Sequence, residues 1–168
     1  MLRTLQGLLA HAQVAPPFVL VGHSPGGLLV NLFARTFPEQ TAGVVLDAAT
    51  PEDVLLHRPP SSGWRVRLNR AFHRPHPWEE TRHVGALSAQ VQAAGDFPPV
   101  PLLVLSGTRY PRGMPKAMRD ARTVHQENVV RLSPWGEHHF AKRSGHFPQI
   151  TEPQLVVEAI RAVLGKAT

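Results

Sequence analysis

Apolar residues follow two alternating patterns along this chain, short continuous runs and helical repeats. The continuous runs lie at 18–21 (FVLV), 44–46 (VVL) and 101–106 (PLLVLS). A strand that is covered on both faces needs apolar side chains on both, so such runs predict buried strands of a parallel sheet. A shorter segment at 137–142 is predicted to be the last strand.

Segments with the spacing of amphipathic helices lie between these runs. They predict helices at 2–12, 26–36 and 116–131, and a final helix that opens at Thr151. In that helix, Thr151-Glu152-Pro153-Gln154 has the form of a capping box with a proline in the first turn. The alternation predicts one α/β domain over 1–168, with a mostly parallel sheet of about four strands flanked by helices.

The stretch 51–98 interrupts this alternation. It is rich in Pro, Arg, His and Trp, and it is too long for an ordinary connection between a strand and a helix. We therefore predict that it forms a small helical cap, or lid, inserted after the second strand.

Composition and charge narrow the class of protein. Hydrophobic residues make up 42% of the 168 residues, which is typical of a globular domain, and the absence of Cys excludes disulfides, thiolate metal sites and a thiol nucleophile. The net charge of +6 comes from scattered Arg, which we interpret as a solvated basic surface and not as a nucleic-acid site. Without a long apolar run or a clear signal peptide, we predict a cytoplasmic protein with no membrane span.

The segment Gly22-His23-Ser24-Pro25-Gly26 carries the first candidate chemistry, because it has the form G-x-S-x-G between a strand and a helix. The turn must be tight, so Gly is predicted to be required at both Gly22 and Gly26. Ser24 is then held at the carboxyl end of the strand, beside a helix N-terminus. It is the candidate nucleophile.

A serine needs a base to act as a nucleophile, and His146 is the best candidate among the ten His. It follows the predicted last strand, so it is expected at the same edge of the sheet as Ser24. His138 and His139 are neighbours on that strand and point to opposite faces, which disfavours a shared metal ion. No metal site is predicted.

These motifs together resemble the α/β-hydrolase superfamily, in particular its small esterase- and lipase-like members. The resemblance rests on "VLVGHSPGG" and on the Ser-Gly-His turn before the last helix, and it runs over essentially the whole chain. It implies a serine hydrolase that cleaves carboxylic esters by Ser-His-Asp acyl transfer without a cofactor. The substrate pocket is expected to include the aromatic residues Trp64, Phe72, Trp78, Tyr110 and Phe147.

The acid that orients the histidine is the first departure from the family pattern. The family most often places it after the third of these strands, where 106–110 (SGTRY) contains no carboxylate. Some members place it one strand earlier, where Asp47 ends the second strand. Asp47 is therefore the predicted acid, with Glu52 and Asp53 as alternatives. The order Ser24, Asp47, His146 along the chain then agrees with the order of the catalytic triad in that family.

Pro25 is the second departure, since the family uses the backbone N–H after the nucleophile to stabilise the oxyanion and proline has none. Only 23 residues precede Ser24, so the first four strands and the second oxyanion loop of the family are expected to be missing. The strand at 18–21 would then be an exposed edge that favours self-association or pairing with an N-terminal fragment. Two hypotheses follow: an ester hydrolase, or an inactive remnant that binds a partner.

Overall fold

Four parallel strands form one sheet in the computed structural model, which describes residues 2–48 and 78–167. The strands are β1 (Phe18–Ser24), β2 (Thr41–Ala48), β3 (Leu102–Gly107) and β4 (Gly136–Ala141). They lie in the order β1-β2-β3-β4, and each neighbouring pair is parallel. The predicted α/β architecture is confirmed.

The apolar runs become strands because the sheet is covered on both faces. Every side chain from Leu102 to Leu105 is at most 1% exposed, although consecutive side chains point to opposite faces. Val44 and Val104 belong to one apolar cluster, whereas Val45 and Leu103 belong to the other. The core is therefore divided by the sheet into two layers.

Helices occupy both layers. They are α1 (Leu2–His11), α2 (Pro25–Thr36), α3 (Trp78–Ala93), α4 (Lys116–Val130), α5 (Pro148–Thr151) and α6 (Pro153–Ala167). Phe33 of α2 and Val129 of α4 pack in the first cluster, and Val163 of α6 packs in the second. Among the helices of 2–48 and 78–167, none has the length and apolar character needed to cross a membrane.

The structure describes the later part of the stretch in which the cap is predicted. Helix α3 lies within 51–98 and packs on α2, and the residues in this contact are Leu28, Leu32, Val84, Leu87 and Val91. Helix α3 therefore belongs to the same layer of helices as α2. Trp64, Phe72, Glu52 and Asp53 lie outside the described residues, as does the side chain of Trp78, so the cap remains a prediction.

The predicted capping box at the last helix is wrong. Thr151 ends the short helix α5, and its backbone N–H donates to the carbonyl oxygen of Phe147 at 3.2 Å. Glu152 instead accepts hydrogen bonds from Ser144 and from the backbone of Arg143. A local sequence pattern could not reveal these longer-range partners, which compete for the same side chains.

Candidate active site

Ser24 stands at a sharp turn between β1 and α2. Its backbone has a φ of 52° and a ψ of −126°, a conformation that residues with a side chain rarely adopt. A Cβ at Gly22 would lie 2.6 Å from Val30 Cγ2 and 2.7 Å from the Gly26 carbonyl oxygen, so this position requires glycine. A Cβ at Gly26 would meet no atom within 4 Å, so the prediction that both positions require glycine is wrong at Gly26.

His146 lies beside this serine, in the loop between β4 and α5. Its Nε2 atom is 3.1 Å from Ser24 Oγ, although the two residues are 122 positions apart in the sequence. The separation is within the range for direct proton transfer between a hydroxyl and a base. The structure thus brings together the predicted nucleophile and the predicted base.

Asp47 lies in β2 beside His23, not in hydrogen-bonding contact with His146. The two residues are direct partners in the β1–β2 register, and Asp47 Oδ2 is 3.5 Å from His23 Nε2. Burial raises the pKa of Asp47 to about 6, while the charges of His23 and Arg122 act in the opposite direction. Among the described residues no hydrogen bond joins Asp47 to His146, so its role as the orienting acid stays a prediction.

His23 contacts both the backbone and the ring of His146. Its Nε2 atom is 2.7 Å from the His146 carbonyl oxygen, and the two ring centroids are 4.9 Å apart. The ring of Phe147 is 5.4 Å from that of His23. The sequence placed His23 only in the turn around the serine, because these contacts depend on a strand register and a loop that no local pattern encodes.

Comparison with solved structures decides the fold. An esterase from Thermogutta terrifontis aligns with 97% of this chain over 70% of its own, at 22% identity and a TM-score of 0.57. A candidate lipase from Acinetobacter baumannii AYE aligns with 99% of this chain over 66% of its own, at 16% identity and a TM-score of 0.61. A tomato methylketone synthase I variant aligns with 99% of this chain over 77% of its own, at 17% identity and a TM-score of 0.56.

This chain has the α/β-hydrolase fold. Its four described parallel strands and their flanking helices are a partial form of that fold, and the chain spans about 70% of the length of the esterase neighbour. No family model matches the sequence, and no curated protein matches it significantly. The fold that the sequence resemblance implies is thus confirmed.

A buried polar network holds the His146 loop in place. Ser144 is fully buried, and its hydroxyl donates to Glu152 Oε2 at 2.5 Å while the Arg143 N–H donates to the same oxygen at 2.9 Å. Thr151 donates to Ser144 Oγ at 2.5 Å. The hydrogen bond from Ser144 holds the pKa of Glu152 below its usual range. No local sequence pattern indicates this network, because its members are spread over residues 143–152.

The turn after β3 supports the same loop through its backbone. The Arg109 N–H donates to the Ser144 carbonyl oxygen at 2.9 Å. A Cβ at Gly107 would collide with the Gly145 carbonyl oxygen, so only glycine lets the two segments approach this closely. The segment in which the family resemblance implies an acid therefore acts here as a structural support for the residue before His146.

A second serine–histidine pair lies between β3 and β4. Ser106 Oγ is 2.9 Å from His138 Nε2 and 3.4 Å from Gln126 Oε1. Burial lowers the pKa of His138. Tyr110, a predicted pocket residue, lines a small cavity with these three side chains. Within the described residues no group of three or more His, Asp or Glu is placed to hold a metal ion.

The remaining pocket prediction concerns Phe147, which is 49% exposed beside the His23 and His146 rings. A larger cavity of about 310 Å³ lies behind the His146 loop, between β4 and α6, where Lys142, Arg143 and Glu152 contribute to its lining. Ser24 does not line that cavity. Phe147 is thus the predicted pocket residue that the structure places next to the Ser24–His146 pair.

Proposed function

We propose that this chain is a serine hydrolase that cleaves small carboxylic esters, with Ser24 as the nucleophile and His146 as the base. The observation that carries the proposal is the 3.1 Å contact between Ser24 Oγ and His146 Nε2 at a strained turn between a strand and a helix. Structural neighbours described as an esterase and a candidate lipase support the choice of ester substrates.

The proposed reaction proceeds through an acyl-enzyme. Ser24 Oγ attacks the ester carbonyl carbon while its proton passes to His146 Nε2, and the alcohol then leaves with that proton. Water gives a proton to His146 and attacks the acyl group, which releases the acid and restores the serine. The negative charge of Asp47, close to this pair through His23, favours the histidine cation that forms in both steps.

Pro25 limits the stabilisation of the oxyanion. It occupies the first position of α2, where proline suits the helix because that N–H lacks an intrahelical partner. The family's oxyanion donor at this position is nevertheless absent. Loss of one such donor typically lowers turnover by about 10²–10³. We therefore expect slow turnover of unactivated esters and more readily measured turnover of activated ones.

Hydrolysis of p-nitrophenyl acetate and butyrate tests the proposal. Ser24→Ala and His146→Ala should each reduce the rate to the level of the uncatalysed reaction, because each removes one member of the reacting pair. Ser106→Ala is the matched control, since it removes a serine that also lies next to a histidine. Equal rates for wild type and Ser24→Ala would exclude this serine as the nucleophile.

Partner binding through β1 is the second candidate function. Within the described part of the chain, β1 pairs only with β2, and Val21 on this strand is 47% exposed. An open strand edge of this kind accepts a further strand. Light scattering over a concentration series, with Val21→Lys as the variant, tests whether copies of the chain associate there. A monomer at all concentrations, with wild type and variant alike, would count against self-association.

A further inference from the structure

One nitrogen of His23 faces both the partly buried acid, Asp47, and the backbone of the proposed base, His146. Its Nε2 atom is 2.7 Å from the His146 carbonyl oxygen and 3.5 Å from Asp47 Oδ2. A carbonyl oxygen can only accept a hydrogen bond, so Nε2 must carry the hydrogen. The Nε2–H group therefore connects two residues that have no hydrogen bond to each other.

The distance between His23 and Asp47 is fixed by the sheet. The two residues are direct partners in the parallel register of β1 and β2, so their side chains leave the sheet on the same face. The Asp47 side chain is 15% exposed, and its Oδ2 has no hydrogen-bond partner. Among the described residues, the titratable and charged groups that face it are His23 from β1 and Arg122 from α4.

The ring of His23 also forms a packing surface for the His146 loop. Its centroid is 4.9 Å from that of His146 and 5.4 Å from that of Phe147. A hydrogen bond to the backbone and a ring contact to the side chain together restrict both the position and the tilt of the His146 imidazole. The 3.1 Å contact with Ser24 depends on that position.

We propose that His23 is a positioning residue that links Asp47 to His146, so that the acid supports the base through a second histidine and not by direct contact. This inference rests on the proposed function, in which His146 activates Ser24. The carboxylate of Asp47 attracts the Nε2–H of His23 and so favours that tautomer. The same N–H then fixes the His146 backbone, and the tilted ring contact orients the imidazole.

A double-mutant cycle distinguishes this arrangement from direct contact. The rate of covalent labelling by a fluorophosphonate is measured for Asp47→Asn, for His23→Phe, and for the two combined. Each single change should lower the rate about tenfold, and the double variant should be no slower than His23→Phe alone. A double variant about a hundredfold slower than wild type would mean independent effects, and would overturn the proposal.

A conservative variant separates the hydrogen bond from the ring packing. In His23→Gln the side-chain amide can still donate to the His146 carbonyl, so this variant should react faster than His23→Phe. His139→Phe is the matched control, because His139 lies on β4 and pairs with Glu137. His23→Gln at or below the rate of His23→Phe would contradict a role for the N–H donor.

Nuclear magnetic resonance of the histidine rings gives a readout that does not need activity. In the wild-type chain, nitrogen shifts should show His23 protonated at Nε2, and His23→Phe should change the titration of His146 whereas His139→Phe should not. If the chain fails to label but these shifts are found, the proposed function fails and the positioning role stands. An unprotonated His23 Nε2, or a His146 titration that His23→Phe leaves unchanged, overturns the inference.

Discussion

At the scale of single residues, the backbone of Ser24 carries strain. A residue with a side chain held at φ 52 and ψ −126 costs of the order of 1–3 kcal/mol, which the surrounding packing must offset. The close approach of Gly22 to the backbone of Gly26 and to Val30 defines this turn. The strain directs the serine hydroxyl out of the turn and towards His146.

Replacing the serine by glycine should release that strain. Ser24→Gly is expected to be more stable than Ser24→Ala by about 1 kcal/mol, because glycine adopts this conformation without a steric penalty. Urea denaturation of the two variants measures the difference, and neither variant has the serine hydroxyl. If the alanine variant is equally stable or more stable, the backbone of this turn is not strained.

A backbone donor can be restored at the position after the nucleophile. Pro25→Ala supplies the missing N–H, so the turnover of a p-nitrophenyl ester should rise by about 10². Pro153→Ala, at the start of α6, is the matched control, since it also exchanges the first proline of a helix for alanine. An unchanged rate in Pro25→Ala would mean that this N–H is not the limiting donor.

The partly buried carboxyl of Asp47 predicts a dependence of folding stability on pH. Its pKa is raised from 3.8 to about 6, so the protonated form favours the folded state, and this stability is lost as the pH rises through 6. Asn resembles the protonated acid. Asp47→Asn should therefore be more stable than wild type by up to about 3 kcal/mol above neutral pH, and equal to it below about pH 3.

Thermal unfolding of both proteins over this pH range checks the expectation for Asp47. The stabilised variant should at the same time label more slowly with a fluorophosphonate, because the charge that supports His146 through His23 is lost. A less stable Asp47→Asn at high pH would contradict the claim that burial of the Asp47 carboxylate destabilises the folded state.

At the scale of elements, the loop between β4 and α5 depends on one buried hydroxyl. Ser144→Ala removes the donor to Glu152 and the acceptor for Thr151. The melting temperature should fall by about 2–6 °C, and labelling of Ser24 should slow, because the loop that holds His146 loses its anchor. Thr123→Ala, which removes a hydroxyl on α4, is the control for both measurements. Unchanged stability and labelling would show that the network does not hold the loop.

The elements themselves could be predicted from the sequence because each rests on a local pattern. The run at 101–106 becomes β3 since both faces of this strand are buried, and burial on both faces leaves a continuous apolar signature. The pair Ser24 and His146 was found because each stands at the carboxyl end of a predicted strand. These inferences need no knowledge of which strand pairs with which.

The contacts that could not be predicted depend on register and on distant partners. His23 meets Asp47 because β1 and β2 align in one particular register, which apolar runs do not specify. Thr151 and Gln154 match a capping box locally, but Thr151 bonds to Phe147 and Ser144 instead, and the neighbouring Glu152 bonds to Ser144. Gly26 stands in the motif without a steric need for glycine.

At the scale of the whole molecule, parallel strands bring distant residues to one edge of the sheet. Ser24 ends β1, Asp47 lies one residue before the end of β2, and His146 follows β4. The turn after β3 supports the His146 loop. Each described strand thus supplies either a proposed reacting group or a support for one, which is the usual placement of sites in open parallel sheets.

The most direct test of the central claim is mass-spectrometric mapping of the serine that a fluorophosphonate modifies. We expect an adduct on Ser24 that disappears in His146→Ala, because the probe reacts with a serine that a neighbouring base activates. No adduct is expected on Ser106 despite its 2.9 Å contact with His138, because burial lowers the pKa of His138 and so weakens it as a base. A folded chain that stays unmodified at Ser24 would contradict the claim that Ser24 and His146 form a reactive pair.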